Sequence, residues 1–417
     1  MNSQTANAGR LSTLDLVFSV MDSQRSPLDF TVIFHLKGTL GIEALRTGAR
    51  SARNLYPQTG SYVDKQRWAR FDEVRDGVVV HSSSNSLAST EAIEEFVGKP
   101  VDLHKQLPVQ QLVIINGPEA PVQLVTRFHH AVADGLSAGM WLGHQLRVTY
   151  GLECPVARAS SFQNLSLRRL PPAAKKFAQD GPSEPLWTSR SQQAGARRWI
   201  TIDVPAQDLR QRCRRKSGFT YNDLLITCAL ETFTRWNRTH GLDRGRKIGL
   251  WLPVNIRQQS LEGFGNGTSR IRLHASYAET ASLVDKCREV RRQISRAAQN
   301  GEWVVPEVNP FVSFPSWVVT PLLRCYLNRP SVDMATGVFS HAERWTVGNE
   351  EVFRNVGKVE CIGLLPQRQG VAIYGATHLG KTWLTFTYDR GLFFSDDIQQ
   401  MAAMYREQIA MAQRELI

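Results

Sequence analysis

The chain has 417 residues, 42% hydrophobic and 21% charged, an ordinary balance for a globular protein and enough length for two domains. No apolar stretch nears the length that spans a bilayer, the longest (LLITCAL, 224–230) falling far short, and MNSQTANAGRLSTLDL has no basic-then-apolar leader pattern, so a soluble cytoplasmic protein is expected. The net charge of +12 favours an anionic partner, while no Cys/His finger, RNP-like aromatic strand or heptad zipper supports nucleic acid.

In chain order, LDFTVIFHLK (28–37) reads as a strand and GIEALRTGARSARNLY (41–56) as a helix with apolar residues at helical spacing. RWARF (67–71) and GVVVHSS (77–83) read as short strands. PVQQLVIING (108–117) and VQLVTRFHH (122–130) are two more, joined by a turn at Gly117-Pro118. LSAGMWLGHQLRVTYG is helical and ends at Gly151. From about 155 the texture turns to Ser, Pro, Gly and charge, as in a linker. The chain thus divides into a first lobe over 1–155, a crossover over 156–195 and a second lobe over 196–417.

The second part opens on a strand, RRWITIDVP (197–205), then a helix closed by Gly218 and a longer one started by Thr220. KIGLWLPVNIR (247–257) is a strand, and 276–299 and 315–328 read as helices. GVAIYGATHLGKTWLTFTYDR is a hairpin turning at Leu379-Gly380-Lys381, and a helix runs from about Ser395 to Arg414. Strands and helices interleave throughout, so the class is α/β in two lobes. The cysteines (154, 213, 228, 287, 325 and 361) are scattered without a C-x-x-C pair, which fits neither a zinc site nor a disulfide framework. Basic clusters at 167–177, 211–216 and 286–296 read individually as solvated helix faces.

The stretch LVTRFHHAVADGLSAG (124–139) stands apart. Successive side chains on a strand point to opposite faces, so His129 and His130 cannot share a site unless the backbone breaks between them. One enters the core and the other looks out. Ala131, Val132 and Ala133 leave no bulk beside the outward ring, and Asp134-Gly135 turns the chain into the next helix. Metal binding is poorly served by opposed faces and the lack of a further ligand set nearby. A satisfied core histidine beside a turn aspartate is the bland alternative. The third reading is a general base at a strand end, with the aspartate bracing the turn.

The spelling H-H-x-x-x-D-G would arise by accident in a chain this long with odds of about one in four hundred. It resembles the signature of the acyltransferase superfamily of chloramphenicol acetyltransferase, the condensation domains of non-ribosomal peptide synthetases and the bacterial wax ester synthase/diacylglycerol acyltransferases. LSTLDLVFSVMD (11–22) is similar to the opening segment of the wax-synthase branch, and VDLHKQLPVQQLVI (101–114) to the strand lead-in before the motif. GFTYNDLLITCAL (218–230) resembles a family helix start, placing Asn222 and Asp223 on its Asn-Asp pair. LPVNIR (252–257) with FGNGTSR (264–270) resembles a Pro-Val-x-x-Arg strand and Gly-Asn turn, and LTFTYDRGLFFSDDI the closing strand and helix. The Pro-Leu-Trp string of the wax-synthase branch is absent, LPVQ standing at 107–110, which weakens a neutral-lipid product.

The resemblance implies two chloramphenicol acetyltransferase-like lobes, each a mixed sheet with helices, set as a V around a central tunnel. It implies that His130 is the general base of acyl transfer from a thioester, on coenzyme A or a carrier protein, to a hydroxyl or amine. Asp134 then pairs with an arginine, for which Arg53 and Arg257 are the candidates. Gly135 turns the chain beneath the base and offers an amide toward the oxyanion. His129 is a core residue. Asn222 and Asp223 cap and brace their helix more than they touch substrate, Ser340 is a candidate hydroxyl near the oxyanion, and Asn266 is first a turn residue. No metal and no permanently bound cofactor is implied; the thioester is a co-substrate. Small-molecule donor and acceptor are the expected partners, with a carrier protein or a peripheral contact with an anionic membrane as further ones, for a monomer without a fused carrier module in natural-product or lipid biosynthesis. A non-catalytic docking module on the same fold is the rival reading.

Overall fold

The computed structural model describes residues 9, 11–22, 27–38, 40–65, 67–71, 75–83, 85–117, 122–154, 182–191, 195–216, 218–257, 263–301, 318, 320–322, 325, 335–343, 345, 348–365 and 370–416. The first part of the chain runs α1 (Thr13–Met21), β1 (Asp29–Leu36), α2 (Ile42–Leu55), β2 (Ser61–Asp64), β3 (Arg67–Arg70), β4 (Val78–Ser82), α3 (Ser86–Gly98), β5 (Val109–Ile115), β6 (Val122–His129) and α4 (Gly135–Thr149). The second runs β7 (Arg197–Pro205), α5 (Ala206–Arg215), α6 (Tyr221–Thr239), β8 (Gly249–Asn255), β9 (Thr268–His274), α7 (Leu283–Gln299), β10 (Gly337–Ala342), α8 (Glu350–Phe353), β11 (Val356–Ile362), β12 (Val371–His378), β13 (Lys381–Asp389) and α9 (Ser395–Glu415).

Two mixed sheets carry the molecule. The first has the order β11-β1-β6-β5-β4 and the second β7-β13-β12-β10-β8-β9. Each buries one main hydrocarbon core: Phe34, Phe128 and Trp141 lie in the first, and Phe233, Trp236, Phe386 and Tyr405 in the second. Local chemistry sets the ends. Ser12 and Thr220 close capping boxes with Asp15 and Asp223 at the starts of α1 and α6. The β12–β13 hairpin turns through Leu379 (φ 46°) and Gly380 (φ 76°), a pair of positive φ angles that suits the twist of its strands.

Most elements fall where the sequence places them. Helix α7 is shorter than expected, because Ser282 caps it and residues 276–281 lie outside it. The expected helix 315–328 and crossover 156–195 lie largely outside the described residues. Helices α1 and α3 and strands β2, β9, β10 and β11 stand where the sequence reading places no element, although β9 alternates between buried and half-buried residues along its length.

Strand β11 comes from the second part of the chain yet pairs antiparallel with β1, Thr31 opposite Ile362 and Phe34 opposite Val359. The segment before it packs on α4. A Cβ at Gly139 would come within 2.3 Å of the Trp345 carbonyl oxygen, and one at Gly143 within 2.4 Å of the Asn349 side chain, so two glycines four apart on one helix face admit this close approach. The lobes are tied again by Arg197 of β7, whose guanidinium bonds the Asp29 carboxylate and the Val97 carbonyl (3.0 Å) with the pair buried.

A third tie joins His35 of β1, Glu360 of β11 and Thr201 of β7. The Glu360 carboxylate accepts from His35 Nε2 (2.6 Å), Lys358 Nζ (3.0 Å) and Thr201 Oγ1 (2.8 Å). Burial alone would raise its pKa, but the His35 hydrogen bond, Lys358 and Thr201 more than reverse that and hold it at about 2, against an ordinary 4.5. A depressed carboxylate contributes stability above its ordinary pKa and loses it as pH falls toward the folded one. Glu360→Gln is therefore expected to be less stable than wild type by about 3 kcal/mol at pH 6, with the gap closing between pH 4.5 and 2 in urea unfolding. A gap that stays constant over that window would show that the carboxylate charge contributes nothing.

Candidate active site

Strand β6 ends at His129, and the pleat turns that ring inward, where it is fully buried. Its Nδ1 accepts the Ala131 N–H at 3.1 Å, which leaves the ring proton on Nε2, 3.5 Å from Asp22 Oδ2 and without a well-aligned bond. His130 lies one residue past the strand, partly exposed, with its own N–H donating to the Leu28 carbonyl at 2.7 Å. The opposed faces expected of the pair are thus observed.

Phe18 of α1 stacks on the His130 ring at 4.3 Å between centroids and 20° between planes, and Phe30 of β1 meets it edge-on at 5.5 Å. Asn266, in the turn between β8 and β9, grips the residue twice. Its Nδ2 donates to the His130 carbonyl at 2.5 Å, and its Oδ1 lies 3.0 Å from His130 Nδ1. Burial lowers the imidazole pKa; Asp134 and the Asn266 bond oppose that in part, and the balance keeps the ring neutral below its ordinary range. None of the described residues hydrogen-bonds Nε2.

Asp134 caps α4, its Oδ1 accepting the Ser137 N–H at 3.0 Å. The residue is 2% exposed and both oxygens are saturated. Arg257 reaches them through Nη2 (2.9 Å to Oδ1) and Nη1 (2.8 Å to Oδ2). Gly267 N–H and Thr268 Oγ1 each donate to Oδ2 at 2.9 Å. Burial would raise this carboxyl, but Arg257 and the two backbone donors bring it below the usual carboxylate range. Arg257 is therefore the partner that the sequence left between two candidates. Arg53 lies elsewhere, bonding the carbonyls of Asp76 and Val109 (2.8 Å to the latter).

The β8–β9 turn is a clasp from the second lobe onto the first. Phe264 stacks on Tyr56 at 4.2 Å, inside the first core. Gly265 exchanges two bonds with Ser137 Oγ, at 2.8 and 2.9 Å. Arg257 also holds the turn from within through the carbonyls of Gly263 (3.1 Å) and Gly265 (2.9 Å). Asn266 stands between these anchors, so the Asp134 network places the amide that holds His130. Sequence reasoning took Asn266 for a turn residue; the Gly-Asn-Gly spelling beside Arg257 was the available signal. Gly135, the first residue of α4, is exposed, and a Cβ there would meet nothing within 4 Å.

The remaining candidates lie apart from this cluster. Asn222 lies in the first turn of α6, and its Oδ1 lies 3.2 Å from His341 Nδ1. Asp223 completes the α6 capping box and pairs with Arg291 at 2.7 Å. Ser340 sits in β10 opposite Tyr374 of β12, and none of the described contacts joins it to His130 or Asp134. A groove of about 520 Å³ lined by Arg75, Lys105, Gln106 and Gln110 belongs to the outer edge of the first sheet and holds none of the site residues. Among the described residues no three His, Cys, Asp or Glu side chains gather to hold a metal, and no helix is long and apolar enough to cross a membrane.

No protein-family model matches the chain, and no curated protein matches its sequence. Solved structures do match its shape over nearly its whole length. The cyclization-docking bidomain of the EpoB non-ribosomal peptide synthetase from Sorangium cellulosum aligns with 100% of this chain and 87% of its own, at 13% identity and a TM-score of 0.71. The trichothecene 15-O-acetyltransferase TRI3 of Fusarium sporotrichioides aligns over 97% and 94%, at 13% identity and a TM-score of 0.68. The starter condensation domain of rhizomide synthetase RzmA, a mutant solved with C8-CoA and Leu-SNAC, aligns over 100% and 97%, at 12% identity and a TM-score of 0.66.

Proposed function

We propose that this chain, built on the two-lobed fold of condensation domains and chloramphenicol acetyltransferase-like enzymes, transfers an acyl group from a thioester to a hydroxyl or amine, with His130 as general base. The observation that carries the reading is the state of one ring. His130 Nδ1 faces an amide oxygen at 3.0 Å, which favours a proton there and leaves a lone pair on Nε2. An acceptor O–H or N–H gives its proton to Nε2 as its oxygen or nitrogen attacks the thioester carbonyl carbon. The tetrahedral adduct collapses, the carbon–sulfur bond breaks, and the imidazolium returns the proton to the departing thiolate. An ester or amide and a free thiol result, and no covalent enzyme intermediate is needed when both substrates are held together.

The oxyanion needs donors aimed where its charge develops. The N-terminal turn of α4 begins at Gly135, five residues past His130, with open space beside it, and its backbone N–H groups carry the positive end of the helix. Asp134 and Arg257 act at a distance from the chemistry by fixing the clasp. His129 serves the core. The C8-CoA and Leu-SNAC held by the rhizomide synthetase domain support a thioester donor here. The net charge of +12 suits the phosphates of coenzyme A or an acidic carrier protein.

The reading is tested by thiol release from a panel of acyl-CoA donors, with alcohols and amines as acceptors. Acceptor-dependent release above the slow hydrolytic background is expected. A protein that binds thioesters without releasing thiol under any pairing would be a docking module instead.

A further inference from the structure

We infer, on the reading of His130 as the base, that Asp22 at the end of helix α1 is a positioning residue for it: one side chain ties together the helix that carries Phe18, the lead-in to β1 and the buried His129 ring, and so fixes where the His130 ring sits. Strand β6 ends at His129, so His130 is held by what lies just beyond the ladder. Its N–H donates to the Leu28 carbonyl at 2.7 Å, and Leu28 itself stands one residue before β1 begins at Asp29. Asp22 Oδ1 accepts the Leu28 N–H at 2.8 Å. Held on its amide side by Asp22, Leu28 presents its carbonyl to His130.

The other oxygen, Oδ2, lies 3.5 Å from His129 Nε2, the ring atom left with the proton once Nδ1 accepts the Ala131 N–H. That approach is an electrostatic contact rather than a well-aligned hydrogen bond. Asp22 also closes α1, its own N–H donating to the Phe18 carbonyl at 3.2 Å. Leu16 and Val20 anchor the helix in the first core, and Phe18 lies flat on the imidazole. Two residues on from Leu28, Phe30 meets the same ring edge-on. The groups that touch the imidazole from α1 and from the start of β1 therefore converge on one carboxylate. Loss of that carboxylate frees the end of α1 from Leu28, and a base displaced by a fraction of an ångström is a poorer base.

The test reads the ring's position directly, by proton NMR at pH 8, with the His130 Cε1–H and Cδ2–H resonances identified by their loss in His130→Gln. The stacked Phe18 ring shifts these resonances, and Phe18→Leu should return them toward ordinary histidine values. Asp22→Ala should move them in the same direction and lower kcat by between about tenfold and a hundredfold, with KM changed far less. Asp22→Asn, which keeps an acceptor for the Leu28 N–H, should restore most of both. Ser12→Ala, which opens the cap at the other end of α1, should lower the melting temperature and leave the resonances and kcat near wild type. Where Asp22→Ala does not fold, Asp22→Ser takes its place. A folded Asp22 variant that keeps either the wild-type resonances or the wild-type kcat, or an equal change in Ser12→Ala, would overturn the inference. Resonances that respond to Asp22 in a protein that transfers no acyl group would instead overturn the function and leave the positioning standing.

Discussion

Replacing His130 by alanine is expected to abolish acyl transfer, lowering kcat by between about a hundredfold and ten thousandfold, the usual contribution of a general base. The same change should cost little stability, since the ring is partly exposed and its loss forfeits about 1 kcal/mol of stacking on Phe18. His129→Ala is the control. That ring is fully buried and accepts the Ala131 N–H, so its removal opens a cavity and orphans a donor, at about 2–4 kcal/mol. The pH profile carries a second signature. Burial holds the His130 pKa below the ordinary 6.5, so the base stays neutral and active into mildly acid solution. The acid limb of kcat/KM should fall with a midpoint below 6.5 and vanish in the residual activity of His130→Gln. An inactive but fully stable His129→Ala beside an active His130→Ala would mean that the wrong ring has been chosen.

The second large effect is at Arg257. Arg257→Ala removes the cation from a buried pair and leaves Asp134 with Ser137, Gly267 and Thr268 as its donors among the described residues. Breaking such a pair from one side costs about 3–5 kcal/mol, because the remaining charge stays buried. The cost should show as a lower urea midpoint. The clasp should also lose its hold on Asn266, so activity should fall even under conditions where the variant is fully folded. Asp134→Asn, which keeps one acceptor oxygen, should be milder on both counts. An Arg257→Ala protein with unchanged midpoint and turnover would show that the pair neither ties the lobes nor places the site.

The sequence carried the centre of this arrangement and not its frame. Strand parity separated His129 from His130, because that property is local to two residues. The turn at Asp134-Gly135 was legible for the same reason, as were Thr220 as a helix start and the Leu379-Gly380 turn. Arg257 could not be told from Arg53, since each lies far along the chain from Asp134 and only folding brings one of them to 2.8 Å. Asn266 is 136 residues from His130, and its grip exists only because the β8–β9 turn inserts Phe264 into the other lobe's core. Strand β11 was hidden for a related reason: its partner is β1, and nothing within residues 356–362 names that partner. Asn222 and Asp223 are helix-start residues, as the sequence suggests: Asp223 completes the α6 capping box and pairs with Arg291, and Asn222 meets His341.

One experiment bears most directly on the whole account. The protein is incubated with mixed acyl-CoA thioesters and a cell extract, and both the small molecules and the intact protein are weighed by mass spectrometry. The account predicts a new ester or amide bearing a donor acyl group, formed by wild type and not by His130→Gln, with the protein mass unchanged at every time point. A product formed equally well by His130→Gln, or an acyl group carried on the protein itself, would contradict it.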